Sequence, residues 1–199
     1  MSVDAKLVKE LREKTGAGMM DCKQALVKSL GDLDKAVDFL RKSGIAKAEK
    51  KVSRAVKEGM VYSYIHQGSR LGVLLEIGCE TDFVAKTDGF QELSHNIAMQ
   101  IAATNPIALT REEISHKVID REKEIYTDQA KSSGKPDNII EKMVEGRLNK
   151  FYQENCLLEQ NFIKDPDKIL QDIITETIAT LGENITVNRY VRFAIGEDT

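Results

Sequence analysis

The chain has 199 residues, enough to bury a full core in one domain or in a small domain beside a larger one. Its apolar runs fall far short of the roughly 20 residues a membrane helix needs, and Met1-Ser2-Val3-Asp4 has neither a signal peptide's apolar stretch nor a transit peptide's Arg-rich character, which points to the cytoplasm. A net charge of −3 argues against global electrostatic binding to nucleic acid, and three widely spaced cysteines without a CxxC (Cys22, Cys79, Cys156) favour reduced structural thiols over a disulfide framework or a zinc site.

Residues 4 to 44 read as three short helices. Leu7, Val8 and Leu11 recur on one face of the first, and Thr15-Gly16-Ala17-Gly18 breaks the chain where a positive φ is needed. The second, about Met19 to Ser29, turns Met20, Ala25 and Leu26 inward and leaves Met19 to a partner. Asp32 caps the third, in which Leu33, Ala36, Val37 and Leu40 form the apolar stripe and Gly44 suits the C′ position. Three helices in so few residues make a bundle of the ubiquitin-associated type, with too little core to be very stable alone; its use is to present a surface.

Arg41, Lys42, Lys47, Lys50, Lys51, Arg54 and Lys57 follow, interleaved with alanines. The pattern favours a solvated connecting helix over a nucleic-acid patch, because no aromatic residue alternates with the basic ones. From Glu58 the period changes: Met60 to His66 alternates as a strand, Gln67-Gly68-Ser69 is a turn, and Leu71 to Cys79 is a largely apolar strand. Helices are expected over Phe90 to Ala103, from a capping box at Thr110-Arg111-Glu112-Glu113 down to Ser133-Gly134, over Asp137 to Glu154, and from Asp165-Pro166-Asp167 to Gly182. Ile185 to Ile195 closes the chain as a strand, with Val187, Arg189, Val191, Phe193 and Ile195 on one face and Asn188, Tyr190, Arg192 and Ala194 on the other. The reading is α+β: a three-helix bundle (residues 1–45), a basic helical linker (46–57) and a core domain (58–199) in which helices cover a three-stranded antiparallel sheet.

Catalysis has little support. His66, His95 and His116 sit on different elements without a nucleophile or metal-ligand spacing nearby, and Gly16-Ala17-Gly18 lacks the preceding strand and third glycine of a dinucleotide fingerprint. No cofactor or metal is expected, and the protein binds rather than reacts. The stretch Glu80-Thr81-Asp82-Phe83-Val84-Ala85-Lys86 falls on the joint between a strand and a helix. Two readings of it stay open: a helix cap with Phe83 as hydrophobic staple, or an aromatic wedge held out for a partner. The three-helix unit alone would equally suit a binder of ubiquitin-like domains or a ribosome-associated chaperone.

Leu7-Val8-Lys9-Glu10-Leu11-Arg12-Glu13-Lys14-Thr15-Gly16-Ala17-Gly18-Met19-Met20-Asp21-Cys22-Lys23 resembles the N-terminal signature of the bacterial translation elongation factor Ts family. The Glu80–Lys86 stretch resembles its second signature, and Ser133-Gly134-Lys135-Pro136 with Glu141-Lys142-Met143-Val144-Glu145-Gly146-Arg147 a third. The resemblance implies a guanine-nucleotide exchange factor that binds elongation factor Tu in its GDP-bound and nucleotide-free forms. It assigns Thr81, Asp82, Phe83 and Val84 to Mg²⁺ displacement in that partner. Longer members carry two related sheet subdomains, a helical hairpin and a C-terminal helical module. This chain has one hairpin-plus-strand set and stops at Thr199, which suggests the short form, a homodimer. Arg12, Met19, Met20 and Lys23 are expected to form a second, weaker contact patch, with His66 as a further contact and no direct role for nucleic acid or membrane.

Overall fold

The computed structural model describes residues 4–132, 134 and 136–197. Ser133 and Lys135 of the third motif, Met1–Val3 and the last two residues lie outside them. The chain forms two compact units, one of residues 1–61, 76–94 and 172–188, the other of residues 62–75, 95–171 and 189–199.

In the first unit, helices α1 (Ala5–Thr15), α2 (Met19–Lys28) and α3 (Leu33–Glu49) share a core of Val8, Leu11, Cys22, Ala25, Leu26 and Ala36. Asp4 caps α1 by accepting from the Lys6 N–H at 2.9 Å, and Asp32 caps α3 by accepting from the Lys35 N–H at 3.0 Å, each satisfying a donor that a helix start leaves free. Gly16 ends α1 in the left-handed region, at φ 66°, and its N–H returns to the Arg12 carbonyl. Two expectations change. Met20 is 72 % exposed and Met19 49 %, because Cys22, Ala25 and Leu26 already occupy the inward positions one turn apart and leave no room for either thioether. Gly44 does not stop α3: a Cβ at that position would sit 3.1 Å from the Ala179 Cβ, so the glycine serves close packing within the helix. The helix therefore takes in the first part of the basic segment, whose remainder from Lys50 runs in turns.

Strands β1 (Glu58–Ile65), β2 (Leu71–Cys79) and β5 (Ile185–Ala194) form an antiparallel sheet with β2 in the centre. Burial alternates along β1, with Met60, Tyr62 and Tyr64 turned inward, and β2 buries Val73, Leu75, Ile77 and Cys79. A single-turn helix α4 (Asp82–Ala85) leads from β2 to α5 (Asp88–Thr104), whose buried stripe includes Phe90, Leu93, Ile97 and Ile101.

In the second unit α6 (His116–Lys131) and α7 (Asp137–Asn155) pack against each other as a helical hairpin. The expected capping box does not form. Glu113 reaches the Leu109 N–H at 2.8 Å, Arg111–Glu113 makes only a 3₁₀ turn that ends on buried Ile114, and α6 begins after Ser115. Asp165-Pro166-Asp167 does not start a helix either. It opens β4 (Asp165–Ile169), which pairs with β3 (Asn161–Phe162), and helix α8 runs only over Leu170–Leu181. The cause is Gln100, fully buried, whose side-chain amide donates to the Asn161 carbonyl at 3.1 Å and accepts from the Ile163 N–H at 2.9 Å. That side chain pairs the β3 backbone as a neighbouring strand would, and holds the segment extended.

Gly59 sets a steric limit in the first unit. Its φ is 149°, and a Cβ there would lie 2.2 Å from the Ile77 carbonyl oxygen. Gly59→Ala is expected to cost about 2 kcal/mol or more, read from urea unfolding followed by circular dichroism.

Candidate partner-binding site

The Glu80–Lys86 joint lies wholly in the first unit and is fixed by the segment between α8 and β5. Glu183 accepts three hydrogen bonds in one carboxylate: from the Glu80 N–H at 3.1 Å, the Thr81 N–H at 3.0 Å and the Thr81 hydroxyl at 2.7 Å. Glu80 answers by accepting from the Asn184 N–H at 2.7 Å and pairing with Arg54 at 3.5 Å. Buried Asn184 then donates its side-chain amide to the carbonyls of Val52 and Arg54. Two chain segments thus exchange side-chain-to-backbone bonds in both directions.

Thr81 holds the N-cap backbone position of α4, but its hydroxyl is spent on Glu183 and makes no capping bond to the helix. Phe83 is 78 % exposed, so it is neither a core residue nor a staple. Ala85 is the buried residue of the turn, Val84 is half-buried, and Asp82 faces solvent with its Oδ2 2.6 Å from the Lys86 Nζ. The hydrogen bond from Lys86 holds the Asp82 carboxyl below the usual carboxylate range and raises the Lys86 ammonium in return. Beneath the joint the Cys79 thiol donates to the Thr81 carbonyl at 3.1 Å, and burial pushes that thiol up. The arrangement presents one aromatic ring and one carboxylate on a backbone that cannot easily shift.

The other residues singled out above fall in two places. Arg12, Met19, Met20 and Lys23 are exposed on α1 and α2 in the first unit. His66 belongs to the second unit, where its Nδ1 lies 2.8 Å from the Tyr64 hydroxyl. His95 there bonds the Tyr62 hydroxyl at 3.1 Å. Arg41, Lys47 and Arg54 of the basic segment each hold an ion pair within the first unit, to Glu176, Asp21 and Glu80. Among the described residues no cluster of His, Cys, Asp or Glu has the grouping of a metal site, no helix is long and apolar enough to cross a membrane, and the cysteines are free. Sequence reasoning missed Glu183 and Asn184. They stand about a hundred positions from the joint, and nothing local marks a carboxylate that will bond a distant backbone.

The sequence profile described as Elongation factor TS matches residues 6–197. The chain belongs to the elongation factor Ts family. It is 60 % identical to elongation factor Ts of Syntrophomonas wolfei over 98 % of its own length and 91 % of that protein's. It is also 57 % identical to the factors of Geotalea daltonii, over 99 % of its length and 91 % of the relative's, and of Fervidobacterium nodosum, over 99 % of its length and the whole of the relative's. The work of the family is nucleotide exchange on elongation factor Tu, which involves no covalent chemistry.

The Asp82–Lys86 pair gives a titration test. A carboxyl held low keeps its charge above the ordinary carboxylate pKa, and the pair is lost only as pH falls through the lowered value. Lys86→Ala should therefore bring the Asp82 carboxyl up toward its ordinary range, seen by carbon-detected NMR titration of the side chain.

Proposed function

We propose that the Thr81–Val84 turn is the part of this exchange factor that disturbs the Mg²⁺ and phosphate site of elongation factor Tu. A GTPase holds GDP through backbone donors on the phosphates and a Mg²⁺ that keeps several waters and demands near-ideal octahedral geometry. Phe83 enters between packed elements beside that site, and Asp82 brings a carboxylate to the metal's water shell. The metal loosens first and the phosphates follow. The observation that carries this reading is the exposure of Phe83 on a one-turn helix whose backbone is tied down from behind. The factor binds the GDP-bound and nucleotide-free forms, and linkage fixes the trade: a factor that weakens GDP about 100-fold is itself weakened equally by GDP, a coupling of roughly 2.7 kcal/mol.

The remaining assignments belong to the same proposal. Arg12, Met19, Met20 and Lys23 form a second contact patch on an N-terminal domain of residues 1–45, with 46–57 as linker and 58–199 as core domain; the bundle's separate apolar cluster supports that division. His66 is a further contact. The protein works in the cytoplasm, without cofactor, nucleic acid or membrane. Two copies associate through the core domain: Ile65, Leu74, Val191, Phe193 and Ile195 are all exposed, at 64 % for Ile65 and 56 % for Phe193, and an apolar surface of this kind marks an association face. A trough of about 550 Å³ among Ile65, Leu71, Leu74, Phe193 and Ile195 gives that face relief for interlocking side chains.

Phe83→Ala should slow release of a fluorescent GDP from elongation factor Tu by about tenfold or more in stopped flow, and shift stability by less than about 0.5 kcal/mol. Asp82→Ala should also slow release, by a factor that shrinks when Mg²⁺ is chelated. Normal release by Phe83→Ala removes the wedge.

The apolar face gives a separate test. Phe193→Asp should turn a dimer into a folded monomer in sedimentation velocity at tens of micromolar, whereas a wild-type chain that sediments as a monomer counts against the association.

A further inference from the structure

We propose that Glu183 is a positioning residue for nucleotide exchange, holding the Phe83 turn in its working conformation through the backbone of Glu80 and Thr81. The inference rests on the reading of Thr81–Val84 given above. An isolated single turn of helix has no stability of its own, since nucleating it fixes several dihedrals for few hydrogen bonds. Helix α4 is such a turn, and the residue that would cap it has turned its hydroxyl to Glu183. Its entry is set instead by two backbone N–H groups and that hydroxyl, all received by one carboxylate.

Both sides of the attachment are firm. Gly182, at φ 84°, ends α8 and hands the chain to Glu183, while Asn184 anchors the next residue to the carbonyls of Val52 and Arg54. The Glu183 carboxylate is thus held from its own backbone, and in turn holds the joint. The bonds that the Glu183 carboxylate accepts go to Glu80 and Thr81, one and two positions before Asp82, so its effect on exchange passes through the position of the turn. Charge matters, because a carboxylate accepts all three bonds whereas a carboxamide keeps one acceptor oxygen, and charge-assisted bonds are about twice as strong as neutral ones.

The test uses the full chain carrying Glu183→Ala or the isosteric Glu183→Gln, each alone and on a Phe83→Ala background. Three quantities are read: stopped-flow release of fluorescent GDP from elongation factor Tu at saturating factor, affinity for the nucleotide-free partner, and amide hydrogen exchange along the factor. Glu183→Ala should slow release about tenfold or more while weakening binding by a smaller factor, with Glu183→Gln in between. Amides of residues 82–87 should exchange faster and those of α5 at the wild-type rate. On the Phe83→Ala background the further slowing should fall below about threefold, since the ring that Glu183 positions is gone.

Normal release by Glu183→Ala beside a slow Phe83→Ala overturns the positioning role and leaves the wedge standing. Normal release by Phe83→Ala overturns the wedge and this proposal with it. Unchanged protection of residues 82–87, or full multiplication of the two defects, also overturns it. Should Glu183→Ala lose protection in α5 as well, Glu183→Gln decides: wild-type release and protection there reduce Glu183 to a fold-stabilising residue.

Discussion

The reciprocal bonding between Glu80-Thr81 and Glu183-Asn184 is the constraint on which the presentation of the joint depends. Each side uses a carboxylate to satisfy the other side's backbone N–H groups at the place where one strand ends and another begins. Such groups need partners when they are shielded from water, and leaving one unpaired costs about 1 to 3 kcal/mol, so each of the three N–H bonds counts toward holding the joint. What they secure is a short turn with little hydrogen bonding of its own. Under the proposed wedge role, a turn that pushes on another protein's metal site needs a point of contact that does not yield first. The rigidity here comes from the neighbours of the turn rather than from the turn.

The part of β5 that lies in the second unit follows a different rule. On β5 the polar Tyr190 and Arg192 point inward and the apolar Val191 and Phe193 point out, the reverse of the usual assignment. The inward pair is affordable only because acceptors await it. The Tyr190 hydroxyl donates to the Pro106 carbonyl at 2.5 Å, and the Arg192 Nε donates to the Ala102 carbonyl at 3.3 Å, near the C-terminal end of α5 where free carbonyls and the helix dipole favour a cation. Burial pushes the Tyr190 hydroxyl up to about 12, so it stays a donor. With the inner face satisfied in this way, the outer face is left to apolar side chains and to whatever covers them.

Local rules were readable where the physics is local. Asp32, Gly16 and the alternation along Met60 to His66 each follow from a bond or a periodicity within a few residues. The failures share a cause. Thr110–Glu113 has the composition of a capping box, yet Glu113 found the Leu109 N–H instead. Asp165-Pro166-Asp167 opens helices elsewhere, yet a buried Gln100 some sixty positions away keeps the preceding backbone extended. Gly44 is the residue type that favours a helix end, whereas its use is to let Ala179 approach. Of the candidate site, the residues proposed to meet the partner were visible as an odd aromatic at a joint. The residues that hold them were not, because Glu183 does its work through chain folding alone.

Cys79 gives the joint a chemical witness. Its sulfur is fully buried and its hydrogen is engaged by the Thr81 carbonyl, so a thiol reagent in solution meets it only when the backbone at 79–81 comes apart. The rate at which that one thiol is consumed therefore counts local openings at the joint, separately from those that expose Cys22 in the bundle or Cys156 at the C-terminal end of α7. A cysteine placed this way reports how long the joint stays in one shape.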